Sequence, residues 1–334
     1  MTWLARTWLV FRSIAAALLL VAIGSHSRVA AQDFPSKNLS IVVSIGAGTG
    51  MDIVARLYAE KLSAALGKAV VVENKPGAAT MLAATQVANA APDGHTLVVL
   101  TSSALAINQS LYKQMNYNPE ADFTPISLYV KSPLILVVNP NIPAKDVKEY
   151  IAYAKQAKPP MDYVSVGAGG FQHIAMEFAK QRFGFEANHV PYRNTGQSVT
   201  DIIAGHVQTG FVEAGASIPA IKDGKLRALA VSSATRLPLL PDVLPFAEAA
   251  GAPDFEAVSW HTLMVPSKTP KDIVDRLHAE MKKIMSDPEM KKRVADIGLI
   301  PFDSPSVAGI NDYIKSERVK WGTLVEKIGL KGSQ

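Results

Sequence analysis

The chain contains no cysteine among its 334 residues. Disulfides, thiolate metal sites and a lipid-modified cysteine anchor are therefore excluded. It also lacks Gly-Lys-Ser/Thr, hence any P-loop, and Gly-x-Ser-x-Gly, hence the nucleophile elbow of a serine hydrolase. Basic residues are dispersed, without the stripe or aromatic interleaving of a nucleic-acid surface, so no nucleic acid is expected as a partner. Histidines at 95, 173, 189, 206, 261 and 278 are scattered, with no metal-ligand spacing and no adjacent carboxylate pair. No catalytic residue, metal or cofactor is expected from this inventory.

What is present begins with a leader. Arg6 and Arg12 flank the start, residues 13–24 are apolar, and Val29, Ala30 and Ala31 are small residues ahead of Gln32. This is the layout of a secretory signal peptide over 1–31, removed near Ala31. The apolar run is short of the roughly 20 residues that a membrane-spanning helix needs. The expectation is a soluble exported protein, periplasmic in a bacterium. Setting aside Arg6, Arg12 and Arg28 lowers the 34 basic residues to 31 against 29 acidic ones, a net charge of +2. The remaining chain exceeds what one core usually holds, so two domains are expected.

Strand-like apolar runs alternate with helical ones nearly throughout, the pattern of α/β architecture. Strands are expected over 39–45, 69–73, 96–101 and 123–129, with helices over 52–66, 79–89 and 104–112. The pattern restarts at Pro133: strand 134–138, helix 147–157, strand 163–166, helix 173–183, strand 189–190, helix 198–204, then strands 208–212 and 226–231. Strand 258–265 follows, and helices over 271–286, 288–297 and 306–328 close the chain as a scaffold with charges outward. The two α/β halves resemble each other only loosely.

Two glycine-rich junctions carry the chemistry. The strand ending Ile41-Val42-Val43 empties through Ser44, Ile45, Gly46, Ala47, Gly48, Thr49 and Gly50 onto a helix that begins near Met51 and Asp52. Residues 163–166 lead likewise through Gly167, Ala168, Gly169, Gly170 and Phe171 to a helix near His173. N–H groups at a helix start have no intrahelical partner, and the helix dipole adds partial positive charge, so each junction suits a carboxylate or phosphate. Two such loops in separate α/β segments point to one ligand held from both sides. Gly46-x-Gly48-x-Gly50 is not a dinucleotide fingerprint: Met51 stands at the third glycine's place, and the acid after the second strand, Glu73, begins a turn. Asp52 is expected to cap its helix rather than touch an anion.

Several segments also resemble one family. They include Phe34-Pro35-Ser36-Lys37, the 41–52 loop with Ile53-Val54-Ala55-Arg56, Val71-Val72-Glu73-Asn74-Lys75-Pro76-Gly77 and Ala91-Pro92-Asp93-Gly94-His95-Thr96-Leu97. Ala106-Ile107-Asn108, Leu111-Tyr112, Asp122-Phe123, Val190-Pro191-Tyr192, residues 225–231, Leu240-Pro241-Asp242-Val243, Trp260 and residues 266–270 extend the likeness over the chain. Together they are similar to the tripartite tricarboxylate transporter substrate-binding proteins, the Bug family. The resemblance implies a two-domain periplasmic binding protein of type II-like fold, each domain a sheet flanked by helices, with the ligand cleft between them. It places domain one at 32–133 plus 251–334 and domain two at 134–250. It further implies a monomer that closes over a small organic acid and delivers it to transporter subunits in the membrane.

The ligand-binding set implied is Ser44, Ile45, Ala47, Gly48, Thr49, Met51, Ser103, Ala104, Ser165, Ala168, Gly169, Gly170, Phe171, His173, Thr195, Val212 and His261. Departures from the family pattern bear on the ligand. Met51, Ser103-Ala104-Leu105, Gly170, Phe171 and Val212 stand where more polar groups are usual, and His261 replaces an aromatic after Trp260. Unpaired buried polar groups cost about 1–3 kcal/mol, so a less polar carboxylate is expected: an aromatic mono- or dicarboxylate such as a phthalate isomer, with Phe171 packed on it and His261 near its far end. A sensory module using the same cleft, or an exported enzyme using His261 as its acid/base group, are the alternatives.

Overall fold

The computed structural model describes residues 34–77 and 80–334; the leader expected over 1–31 lies outside the described residues. Strand β1 (Leu39–Val43) pairs in parallel with β2 (Val70–Asn74) and β3 (Thr96–Thr101). Helix α1 (Gly50–Leu66) links the first two, and α2 (Met81–Ala88) precedes β3. α1 buries Val54, Ala55, Tyr58, Ala59, Leu62 and Leu66, one stripe at helical spacing, and ends on left-handed Gly67, whose N–H donates to the Ser63 carbonyl. Beyond β3 a π-helical turn, Ser103–Ile107, runs into the short α3 (Asn108–Leu111).

The next strand corrects the sequence expectation. Instead of two strands broken near Pro133, β4 is one 16-residue strand, Phe123–Val138. A proline removes one ladder donor and is tolerated where the ladder changes. Residues 123–133 pair antiparallel with β9 (Val258–Pro266), with a register shift just after Pro125. Residues 134–138 pair instead with β7 (Thr209–Glu213), and 135–138 also with β8 (Arg227–Val231). Pro133 therefore sits at the change of partners.

The remaining elements are α4 (Val147–Gln156), β5 (Met161–Ser165), α5 (Phe171–Phe183), β6 (Ala187–Pro191), α6 (Thr195–Ala204), α7 (Ala214–Lys222), α8 (Phe246–Ala250), α9 (Lys271–Ser286), α10 (Pro288–Asp296), β10 (Ile300–Pro301) and α11 (Val307–Lys327). α7 was not expected, because Gly215 and Pro219 lie within it and argue against helix. The strand order is β2-β1-β3-β9-β4-β7-β5-β6, with β8 and β10 also pairing with β4. The larger hydrophobic cluster crosses the whole sheet, joining Leu100 and Leu128 to Tyr163, Phe171, Phe211, Trp260 and Trp321. Among the described residues no helix is long and apolar enough to cross a membrane.

Candidate functional site

Strand direction builds the site. β3 ends at Thr101, which is level with His261 of β9, itself level with Val130 of β4. β7 ends at Glu213, opposite Leu134 of β4. β3 is parallel to β4, being antiparallel to β9, whereas β7 is antiparallel to β4. The C-terminal ends of β3 and β7 thus point toward each other across residues 130–134, about 13 Å of extended chain. β1 ends beside β3, and β5 runs parallel to β7, so the two glycine loops lie on these facing edges. Contacts flank the gap on both sides. A Cβ at Gly169 would collide with Leu111, and one at Gly298 would lie 2.9 Å from the Ala214 Cβ.

The first loop is held by its own residues. Thr49 is the N-cap of α1, accepting from the Asp52 N–H at 3.4 Å and donating its hydroxyl to the Gly46 carbonyl at 2.8 Å. Asp52, the third helical residue, reaches back to accept from the Gly48 N–H at 2.9 Å, a variant of the capping box. Its other oxygen accepts from Asn74 at 2.9 Å and Arg56 at 3.1 Å, and Asn74 also donates to the Ile45 carbonyl at 3.1 Å. Burial pushes the Asp52 carboxyl up, but the hydrogen bonds from Arg56, Gly48 and Asn74 outweigh it and hold the group below its ordinary value. Asp52 thus stays charged and orients the loop. Ala47 and Gly48 are exposed, and the Gly50 and Met51 N–H groups open the helix with no intrahelical acceptor. Ser44 and Met51 point inward: both side chains are buried, with the Ser44 hydroxyl 3.9 Å from the Met51 sulfur.

The second loop differs from the expectation of a backbone anion clamp. The Val166 N–H donates to Gln172 Oε1 at 2.9 Å, Gly167 to Ser165 Oγ at 3.0 Å, Gly169 to His173 Nδ1 at 3.0 Å and Gly170 to the Gly167 carbonyl at 3.1 Å. Four loop amides are therefore engaged within the protein, including both glycines expected to meet the ligand. Val166 and Ala168 of this loop are exposed. Phe171, expected to pack on the ligand, is 7% exposed, and its ring meets Trp321 edge-on at 5.1 Å.

Beneath this loop lies a ring stack that sequence reasoning did not find. His173 stacks on His189 at 4.2 Å, and Tyr163 on His189 at 5.2 Å. His189 Nε2 is 2.6 Å from Ser165 Oγ. Burial, with His189 adjacent, pushes His173 down to about 4, and burial also lowers His189. Both rings are neutral at pH 7. His173 accepts through Nδ1 and so carries its proton on Nε2.

His261 is not placed as an acid/base group. It is buried, pushed down to about 3 by that burial, and its ring meets Tyr129 edge-on at 6.3 Å. Its Nδ1, the Tyr129 hydroxyl and the Thr101 hydroxyl have no hydrogen-bond partner among the described residues. Ser103 and Ala104 are buried in the π-helical turn, where the Ala104 carbonyl accepts from the Tyr117 hydroxyl at 2.7 Å. Val212 packs in the second hydrophobic cluster. Thr195, first residue of α6, accepts from Gln172 Nε2 at 3.4 Å. Glu213 closes β7 half-buried, and burial pushes its carboxyl above the ordinary value. Among the described residues no group of three or more His, Asp or Glu is placed to hold a metal.

Facing strand ends across shared crossing strands make this an α/β solute-binding protein of the periplasmic type. Its structure matches that of R. palustris Rpa4515 with adipate at a TM-score of 0.83, with 30% identity over 89% of this chain and 99% of the other. It also matches MatC from Rhodopseudomonas palustris with bound malate at 0.78, with 29% identity over 87% and 100%. Residues 54–330 match the model of the tripartite tricarboxylate transporter family receptor, and the chain belongs to that family. One curated relative is the UPF0065 protein in the tcbD-tcbE intergenic region of Pseudomonas sp. (strain P51), 31% identical over 97% of this chain and 96% of its own length. Another is BugT of Bordetella pertussis, 29% identical over 94% and 96%.

Proposed function

We propose that this protein captures a small organic carboxylate in the periplasm and presents it to the membrane subunits of a tripartite tricarboxylate-type transporter. The observation that carries the reading is the first loop, where exposed Ala47 and the Gly50 and Met51 amides, which have no intrahelical acceptor, meet at the start of a 17-residue helix, the Gly48 amide being held by Asp52. Such a terminus favours an anion. The loop faces the opposite strand edge, and relatives with adipate and malate have the same fold. On this reading the lobes are 32–133 plus 251–334 and 134–250, and the chain acts as a monomer. Binding favours the closed arrangement because both edges then touch one ligand.

The expectation of an aromatic acid loses its supports, since Phe171, Met51 and His261 are each turned into protein contacts. Aliphatic and aromatic acids stand level. Thermal-shift and calorimetric screening against both sets tests the function: a carboxylate that raises Tm and binds with one-to-one stoichiometry is expected. Absence of binding across the panel, or conversion of the bound acid, would overturn it.

A further inference from the structure

The two glycine loops present different chemistry. In the first, the Gly50 and Met51 amides have no intrahelical acceptor, and none of residues 44–51 is an exposed large apolar side chain. In the second, the amides of Val166, Gly167, Gly169 and Gly170 all have acceptors within the protein. Three of those acceptors are Gln172, Ser165 and His173, whose polar side chains are more than nine-tenths buried and turned inward.

What the second loop turns outward is apolar. Val166, 38% exposed, is one of five exposed large apolar residues among those described. The other four, Ile53, Val71, Leu82 and Val319, lie on α1, β2, α2 and α11, so Val166 is the one of the five in a glycine loop. Ala168 is exposed beside it. The Val166 side chain also lies over the start of α5: a Cβ added at the N-cap, Gly170, would be 3.4 Å from Val166 Cγ2. A methyl group thus sits over the helix end that would otherwise favour an anion. The contact this loop receives from across the gap is apolar as well, Leu111 against Gly169. A carboxylate brought here would give up hydration without gaining donors, which lowers affinity by about tenfold or more.

We infer that the second loop receives the carbon skeleton of the ligand through Val166, that Val166 is a specificity-determining residue, and that the ligand is a monocarboxylate with an apolar body rather than a dicarboxylate. The inference rests on the receptor reading above and deepens it.

Paired acids of matched length test it: butyrate against succinate, hexanoate against adipate, and para-toluate against terephthalate. Calorimetry on the wild-type protein is expected to favour the monocarboxylate of at least one pair by about tenfold or more. In Val166→Thr, which keeps the shape and adds a hydroxyl, that preference is expected to shrink to about threefold or less. In Val166→Lys, which supplies a charge partner for a second carboxylate, it is expected to reverse. The residue is exposed, so both variants should melt close to the wild type, and thermal melts check that they are folded. Dicarboxylates bound by the wild type as tightly as their partners or more tightly, or a preference that survives both substitutions, would overturn the role of Val166 while leaving the carboxylate receptor intact. No binding of any member of either series would overturn both.

Discussion

Phe171 meets Trp321 edge-on at 5.1 Å, so the helix behind the second loop is docked on the last helix of the chain. Trp321 is itself fixed, because its indole and that of Trp260 both donate to Glu317 Oε2 at 2.9 Å. A ring with these neighbours belongs to the core. Phe171→Ala is expected to lower stability by about 3–5 kcal/mol, read from urea unfolding. Phe171→Leu should retain ligand affinity within about threefold, since a volume-similar apolar residue keeps most of the packing. Lost affinity with an unchanged unfolding midpoint would put the ring on the ligand instead.

Gly48 and Gly169 offer a controlled comparison. Both adopt left-handed backbone, with φ of 78° and 74°, but a Cβ at Gly48 meets nothing within 4 Å whereas one at Gly169 collides with Leu111. Alanine at either site costs about 1–2 kcal/mol for the backbone, and at Gly169 overpacking adds about 1–3 kcal/mol. Thermal melts should rank Gly169→Ala clearly below Gly48→Ala.

Asp52 ties loop geometry to acid sensitivity. Its folded value is depressed, so its stabilisation is present above the unfolded value near 3.8 and is lost as pH falls through the folded one. Asp52→Asn should cost about 1–3 kcal/mol at pH 7 through its weakened hydrogen bonds to Gly48 and Arg56. It should also flatten the fall in stability at the acid end of a pH series. A variant as acid-sensitive as the wild type would contradict this.

The histidine stack acts at milder pH. His173 lies near 4 when folded and 6.5 when free, so between these values the unfolded chain binds the proton first and stability falls as pH falls. Protonation at Nδ1 also removes the acceptor for the Gly169 N–H. Tm is expected to decline from pH 6.5 to 4 more steeply in the wild type than in His173→Gln. Parallel curves for the two proteins would show that the stack does not titrate in this way.

Much of the frame was legible in the sequence. β3 and α9 have the expected bounds because apolar periodicity and turn residues agree there. Both glycine loops lie at strand ends as expected. What was not legible depends on tertiary partners. Pro133 looked like a break because nothing local shows that β4 exchanges β9 for β7 at that point. The second loop's amides looked free because the helix was expected to start at His173, whereas Gln172 and His173 both lie in the first turn of α5 and reach back over the loop.

The continuity of β4 also orders assembly. Phe123 pairs with Pro266, and everything from Val138 to Val258 lies between the two strands that join the sheet's halves. Closing so long a loop is entropically unfavourable while it is unstructured. The β5–β8 portion, which draws its strands from nearby sequence, can therefore form first and bring the ends of its own segment together. The portion carrying the first glycine loop then completes around it, so a truncation before β9 should leave the later-sequence half folded and the earlier one open.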